Sequence, residues 1–523
     1  KPPLLPLAEA DYVVCTGLFD DYGDPEPYQP TLVAMRERNL PMICANPDIV
    51  VHIGDDLLWC AGALAERYAG LGGQVIMAGK PHAIIYESAL REAARLRGGA
   101  IDRARVLAIG DGLFTDIRGA ASQGFDALFV TSGIHRDALH PANNGDDWSV
   151  DEAAYRNLLA EAGAAPHPLA ASTDISKVVR IEYGGDPLYA HLAELARDGW
   201  LAWNDDLFGT PLYHETGATF LTREPMAPGG YEYENFRDLI ARGHAPERLH
   251  GDDIARRYPA WNHQVYVDGY YNPKAGFVES GEVVTRLAAL ARARGVVLRT
   301  GARVATVTKS GDAVAIRIDS GATLTADLTV IAAGAWTPVL LPELSGVMRP
   351  VGQPVFHLRP AQPERFAPPH FLVFGADSAR TGWYGFPLHP RAGVVKIANH
   401  GPGRVVHPEA DRREVLPADE SRLRAFLAES LPDLADAPIV ATRCCLYCDT
   451  PDEHFWITRH PDLPGLTVAA GDSGHAFKFA PVLGALIADV AEGVPRSDAA
   501  RFAWRQFGER THGQEASRYR GDA

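Results

Sequence analysis

The sequence predicts two fold classes in one chain, α/β over about the first 165 residues and α+β over the rest. Three observations carry this. From about residue 10 to 165, short β-branched runs alternate with helical segments, the pattern of a parallel sheet covered by helices. Around residues 140–147 the chain turns rich in Pro, Asn, Gly and Asp, and Ala164-Ala165-Pro166-His167-Pro168 follows, which places a boundary near residue 168. Beyond it helices and strands are mixed, and residues 350–400, rich in Pro and aromatic side chains, read as antiparallel sheet.

In chain order, β-branched and apolar runs predict strands at 11–15, 42–45, 74–77, 105–109 and 127–130. Helices are expected at 63–69, at 82–97, where apolar residues recur at helical spacing, and at 150–162. In the second part, helices are predicted at 189–201 and 282–294, and strands at 295–299, 302–307, 313–318 and 328–333. A polar tail covers 511–523. There is no internal repeat.

The chain has 523 residues, of which 46% are hydrophobic and 22% charged, ordinary globular proportions that exclude a disordered or fibrous chain. Its formal net charge of −16 opposes nucleic acid and anionic membrane, and no basic cluster offsets it. The apolar stretch 324–341 is interrupted by Asp327, Thr329, Thr337 and Pro338, so no spanning segment is expected. Six cysteines are too few for a secreted disulfide framework in a chain this long, which predicts a reducing, cytoplasmic setting. Lys1-Pro2-Pro3-Leu4 reads as neither a signal peptide nor a natural start. Lysines are few (Lys1, Lys80, Lys177, Lys274, Lys309, Lys396, Lys478), so each marks either a place where the broad guanidinium fork of Arg does not serve or a survivor of drift.

Two constellations carry chemistry. In the first, a strand runs into Gly110-Asp111-Gly112 with Asp116 five residues after Asp111. Two carboxylates at a strand end suit Mg²⁺, and Lys80 upstream offers a cation for a phosphoryl group. A plain turn with a helix cap at Asp116 explains the same residues. Taken together, Cys44-Ala45-Asn46-Pro47-Asp48, Gly79-Lys80-Pro81, Gly110-Asp111-Gly112…Asp116 and Val130-Thr131-Ser132-Gly133 resemble haloacid dehalogenase-like (HAD-like) hydrolases, in the class of nucleotide and sugar phosphatases. The resemblance implies that Lys80 orients nucleophile and phosphate, that Asp111 and Asp116 serve Mg²⁺, and that Asn46 and Asp48 shape the rim of the phosphate site. Such enzymes need an Asp-x-Asp nucleophile after their first strand, and none precedes Asn46; Phe19-Asp20-Asp21 and Gly54-Asp55-Asp56 lack the spacing. The chain is therefore predicted to release no p-nitrophenol from p-nitrophenyl phosphate with Mg²⁺. Release abolished by Asp111→Asn would overturn this.

The second constellation is Arg443-Cys444-Cys445-Leu446-Tyr447-Cys448-Asp449, followed by a strand and glycine-bearing turn, Val468-Ala469-Ala470-Gly471-Asp472-Ser473-Gly474-His475-Ala476-Phe477-Lys478. Cys445 and Cys448 have the spacing of half a zinc site or a redox pair, and buried structural cysteines are the plainer reading. With Asp174-Ile175-Ser176-Lys177-Val178-Val179-Arg180, Val330-Ile331-Ala332-Ala333-Gly334-Ala335-Trp336, Trp383-Tyr384-Gly385-Phe386-Pro387 and Val395-Lys396-Ile397-Ala398-Asn399-His400, these residues resemble D-amino acid oxidase-like flavoproteins, especially the sarcosine oxidase and fructosyl-amino-acid oxidase branch, over about 172–508.

That resemblance implies FAD, with Cys445 as the cysteine joined to the flavin ring and Lys177, Val304, Gly334, Trp336, Gly471, Ser473, Gly474 and His475 around the cofactor. It implies that Lys396 serves oxygen reduction, that Arg180 and Lys478 hold a substrate carboxylate, and that Tyr384 and His400 line the same cavity. Lys177 stands where the fructosyl-amino-acid oxidases carry Lys and the sarcosine oxidases Arg. The implied reaction oxidises the C–N bond of a secondary amine or amino-acid derivative to an imine, with O₂ reduced to H₂O₂. The alternatives are a Mg²⁺-dependent phosphatase or an inactive fusion. The implied layout is a HAD-like Rossmannoid domain over 1–168, an FAD-binding domain over 169–210, 275–346 and 450–510, and an interleaved antiparallel-sheet substrate domain over 211–274 and 347–449. Gly-x-Gly-x-x-Gly, the turn that seats a dinucleotide diphosphate, occurs nowhere in the sequence, so the FAD domain is expected to lack its first βαβ unit and to expose a sheet edge.

Overall fold

The computed structural model describes residues 5–20, 23–53, 56–81, 83–140, 150, 155, 158, 167–311, 313–319, 321–507, 518 and 519. The expected helix at 150–162 lies outside them except at three positions, and Asp21, Gly54 and Asp55 also lie outside. The chain divides into two compact units, Lys1–Ala164 and Ala165–Ala523. Among the described residues no helix is long and apolar enough to cross a membrane.

In the first unit β1 (Val13–Cys15), β2 (Met42–Cys44) and β5 (Val75–Met77) form a parallel sheet in the order β1-β2-β5, and β3 (Val50–Ile53) with β4 (Asp56–Trp59) forms a hairpin. Helices Gln29–Glu37 and Ala61–Gly70 bury Leu32, Met35, Leu64 and Tyr68 against β1 and β2. The Tyr68 hydroxyl donates to the Leu40 carbonyl at 2.6 Å, so its polar end is satisfied inside this core.

The single parallel sheet that the strand–helix alternation predicts is not formed. β6 (Leu107–Gly110) and β7 (Asp126–Phe129) pair in parallel as a separate two-stranded sheet. No described strand bridges the two sheets, and Leu107, Ile109 and Leu128 are 56%, 63% and 53% exposed in consequence. Apolar side chains on a strand face need a covering layer, and these have none within the described part of this unit.

The second unit is built on a nine-stranded sheet: β11 (Glu247–His250), β12 (Asp268–Asn272), β10 (Ala218–Thr222), β19 (Val373–Ala376), β20 (Trp383–Phe386), β21 (Val395–Asn399), β18 (Arg349–Leu358) and β22 (Arg404–Val405) in that order, with β23 (Ile439–Asp449) also paired to β18. Most neighbours are antiparallel, as expected for residues 350–400, while β10 and β19 are parallel. One face packs Phe356, Leu358, Val395, Ile397 and Phe374 against Leu423, Phe426 and Leu427 of helix Pro417–Ser430. Each such buried side chain contributes about 1.5–3 kcal/mol.

Smaller sheets complete the unit: β8 (Lys177–Val179), β13 (Gly276–Val278) and β9 (Tyr213–His214); β14 (Val304–Ser310), β15 (Ala313–Ile318) and β16 (Thr323–Ala326); and β17 (Thr329–Ile331), β25 (Leu466–Ala470) and β24 (Trp456–Arg459). Helix Pro187–Ala202 begins at Asp186, whose carboxylate accepts the amides of Leu188 and Tyr189, and buries Trp200 against the 477–480 segment.

The strand expected at 295–299 does not exist. After helix Ser280–Ala293 the chain joins no strand, the Val296 amide donating back to the Ala291 carbonyl, and Val296, Val297 and Leu298 are 52%, 79% and 36% exposed. β17 stands at the edge of its three-stranded sheet with Val330 41% exposed. A strand requires a partner for its amides and carbonyls, and residues 295–299 have none among the described strands.

Candidate active site

Period-two alternation along the large sheet gathers the reactive side chains. In register, Phe386 faces Lys396, Lys396 faces His357, Tyr384 faces Ala398, and Gln353 faces Cys445. Paired residues share a face, so Tyr384, Phe386, Lys396, His357, Gln353, Arg443, Cys445 and Tyr447 all point to the face opposite the Phe356 core. The same arithmetic settles the Cys445 and Cys448 spacing. Three residues apart on β23, they point to opposite faces: Cys445 packs with Val355, Ala398 and Tyr447, Cys448 with Trp456 and Leu466. A half zinc site and a redox pair are both excluded by this geometry, and no group of three metal-ligating side chains occurs among the described residues.

Over this face lies the Asp174–Arg180 segment. Lys396 Nζ is 2.6 Å from Asp174 Oδ2, donates to the Ser176 carbonyl at 2.5 Å, and stands 4.5 Å from the centre of the Phe386 ring. His357 Nε2 is 3.4 Å from the other Asp174 oxygen. Lys177 Nζ donates to Cys445 Sγ at 3.6 Å. Asp174, Lys396 and Cys445 are 3%, 1% and 2% exposed.

Burial pushes Lys396 down to about 8, the nearby Lys177 adds to this, and Asp174 works against both. Burial also pushes the Asp174 carboxyl up, but Lys396, His357 and Lys177 outweigh it and hold it well below the usual carboxylate range. Lys177 loses charge stability to burial yet ends above its ordinary value, because Cys445 and Asp174 favour its ammonium. Two buried lysines thus share one carboxylate and one thiol, which leaves the layer cationic.

Above it opens a mostly apolar cavity of about 800 Å³, counting its mouth, walled by Val178, Phe220, Val373, Phe374, Trp383 and Phe386. Its polar lining includes Lys177, Arg180, Tyr384, His400, His475 and Lys478. Arg180 and Lys478 flank one tyrosine: the guanidinium lies 5.1 Å from the Tyr183 ring centre, and Lys478 Nζ donates to the Tyr183 hydroxyl at 2.9 Å and to the His475 carbonyl at 3.0 Å. His475 Nδ1 is 3.1 Å from the same hydroxyl, and its ring stacks on Phe455 at 4.8 Å. Two cations at one end of an apolar cavity suit a carboxylate-bearing ligand.

The turn after β25 is held by backbone geometry. Gly471, Ser473 and Gly474 have φ of 67°, 42° and 79°, and a Cβ on Gly474 would lie 2.3 Å from the Tyr447 ring, so only glycine fits there. Asp472 accepts the amides of Cys448 and Gly474, and burial raises its carboxyl to about 6.

Of the other expected cofactor residues, Gly334 faces open space at the end of β17. Trp336 instead packs under Arg413, 4.4 Å from its ring centre, and beside His167, and Val304 pairs with Ile318 in a separate hairpin; neither lines the cavity. Asp174, His357, Tyr183 and Tyr447 join the site although the motif reading gave them no role. The signal for Tyr447 was its even spacing from Cys445, which puts both on one strand face. Asp174 stood inside the quoted Asp174–Arg180 block.

The residues present fit the ring half of a flavin. A thiol beside an ammonium is the donor set a ring-linking cysteine requires, and the surrounding cations suit a ring that gains negative charge on reduction. The described residues offer no glycine-rich turn for the diphosphate half.

In the first unit, Lys80 pairs with Asp116, and the Asn46–Asp48 loop packs on the Gly79 backbone, where a Cβ would lie 2.2 Å from Pro47. Asp111 turns instead to accept the Ile134 amide at 3.0 Å, and Asn46 Nδ2 donates to Cys60 Sγ at 3.0 Å. The four elements of the phosphate-site motif are therefore neighbours.

Comparison with known proteins agrees with both halves. Residues 77–154 match the HAD-hydrolase-like family. The chain resembles monomeric sarcosine oxidase of Bacillus sp. (strain B-0618), 29% identical over 371 residues, covering 70% of this chain and 92% of that protein. It also resembles L-saccharopine oxidase of Schizosaccharomyces pombe, 28% identical over 388 residues, covering 67% and 87%. In fold it matches the fructosamine oxidase Amadoriase II of Aspergillus fumigatus with a TM-score of 0.58 and 24% identity, covering 68% of this chain and 86% of that one. Residues 151–490, well over half of the chain, match the FAD dependent oxidoreductase family, and with the fold and the cationic site agreeing, the chain belongs to that family.

Proposed function

We propose that this chain oxidises the C–N bond of a carboxylate-bearing secondary amine, a sarcosine-like or fructosyl amino acid, to an imine while O₂ becomes H₂O₂. The observation that carries this reading is the convergence of Cys445, Lys177 and Lys396 on one sheet face beside a cavity lined by Arg180 and Lys478. FAD, when bound, supplies the two-electron acceptor for the amine and passes the electrons to O₂. Arg180 and Lys478 grip the substrate carboxylate, and Tyr384 and His400 wall the amine end. Lys396 keeps a fixed positive charge where negative charge develops on oxygen, a preorganised donor that needs no rearrangement. Cys445 fixes the ring, with the Lys177 ammonium donating to its sulfur.

The test is an absorption spectrum of the purified chain, followed by a peroxide assay with sarcosine, fructosyl-valine, L-saccharopine and N-methyl-L-tryptophan. Flavin absorbance with peroxide from one of these amines is expected. A flavin-loaded chain that produces none overturns the reading.

A pH dependence follows from Lys396. Its ammonium predominates below about pH 8 and is lost above it. Turnover that depends on this charge falls on the alkaline side of about pH 8. In Asp174→Asn the ammonium loses its carboxylate partner, so the alkaline limb moves to lower pH, which a pH–rate profile of the two proteins measures.

A further inference from the structure

Arg518, far in sequence from every motif, is 7% exposed and contacts Gly401 and Glu453, which adjoin the cavity residues His400 and His475. Its Nε donates to the Gly401 carbonyl at 3.1 Å, its Nη2 lies 2.5 Å from Asp449 Oδ2, and its Nη1 lies 3.4 Å from Glu453 Oε1. The next residue continues the contact. The Tyr519 amide donates to the His400 carbonyl at 3.0 Å, and its side chain lies over Gly382 and Gly401, where added Cβ atoms would come within 3.0 Å and 3.5 Å of it.

These anchor points belong to two different walls. Gly401 follows the cavity residue His400 at the end of β21. Glu453 lies after β23, in left-handed conformation with φ of 61°, and its carbonyl oxygen is 2.9 Å from Nε2 of the cavity residue His475. Asp449 and Glu453 are 8% and 5% exposed, two buried carboxylates that one guanidinium serves. Desolvation weakens the Arg518 charge, yet Asp449 and Glu453 more than restore it.

We propose that Arg518 is a positioning residue that ties the His400 wall to the His475 wall and so fixes both histidines in the cavity. The link runs from the guanidinium through Gly401 to His400 and through Glu453 to His475. Without it two buried carboxylates lose their shared cation, and the two walls part at the rim.

The test treats the full-length chain and its Arg518→Ala and Arg518→Lys variants with diethyl pyrocarbonate and follows each histidine by peptide mass spectrometry. In Arg518→Ala, modification of His400 and His475 is expected to accelerate about fivefold or more, with His357 unchanged, because the opening is local. Arg518→Lys, which keeps the charge but not the fork, should fall between. Unchanged rates at His400 and His475, or equal acceleration at His357, overturn the proposal, the latter because it reports general loosening. If Arg518→Ala does not fold, Glu453→Gln takes its place with the same expectation.

A kinetic arm rests on the amine-oxidation reading: Arg518→Ala should raise KM for the amine about tenfold while kcat changes less than about threefold. Equal losses in both with Arg518→Lys giving no rescue count against positioning. A chain that oxidises no amine still yields the histidine result, so the two readings fail separately.

Discussion

Lys396→Met is expected to lower amine-dependent peroxide formation by about 10²–10³-fold, the usual effect of removing one preorganised donor from a buried site. The physical ground is the isolation of this charge. Lys396 is 1% exposed, and its contacts include Asp174, the Ser176 carbonyl and the face of Phe386, so it is shielded from bulk solvent. Met preserves the length and apolar stem while deleting the charge. Breaking a buried pair also destabilises by about 3–5 kcal/mol, because Asp174 is left with Lys177 and a histidine for company. The Lys396→Met/Asp174→Asn double variant separates the effects: it should recover most of the thermal midpoint lost in the single variant and none of the turnover. Recovery of turnover in the double variant would assign Lys396 a structural role alone.

Cys445→Ala should remove acid-stable colour almost completely. On the proposal that Cys445 carries the flavin, colour is expected to stay with the acid-precipitated pellet of the parent chain and to leave it in the variant, read by absorbance of pellet and supernatant. Cys444→Ala and Cys448→Ala are expected to keep the colour. Both point to the opposite face of β23, and burial raises both thiols above their ordinary range, away from the reactive thiolate. Colour retained in Cys445→Ala would place the attachment on another residue. A colourless parent chain would mean that the ring pocket cannot hold flavin without a diphosphate turn.

Resemblance to a known family, carried by short ordered blocks, named most of the candidate residues that the structure gathers around the cavity. Lys177, Arg180, Lys396, His400, Cys445, His475 and Lys478 could be named because each sits in a short block whose order along the chain is informative, and helices such as Pro187–Ala202 and Ser280–Ala293 followed from periodicity to within two residues. Partners from distant segments were not legible. His357 reaches Asp174 only because β18 and β21 pair in one register, and nothing near position 357 announces it. Arg518 stood in a stretch read as a polar tail.

The failures have one cause. The run at 295–299 has strand composition, and the α/β alternation of the first unit promised one parallel sheet, yet Val297 is left exposed and β6 and β7 pair apart from β1, β2 and β5. Local composition sets what a segment prefers, whereas a strand is completed only by hydrogen bonds to a neighbour that the segment does not contain.

By itself the sequence determined the two-part organisation and the positions of most helices and strands, which depend on local periodicity, and its resemblance to a family in short ordered blocks named the candidate side chains. Only the tertiary structure decided which of them meet. Strand register set Cys445 and Lys396 on one face and Cys448 on the other, and burial then turned two ordinary lysines and a carboxylate into a coupled cationic layer. Both are properties of contacts between residues far apart in the chain, where local preference has no influence.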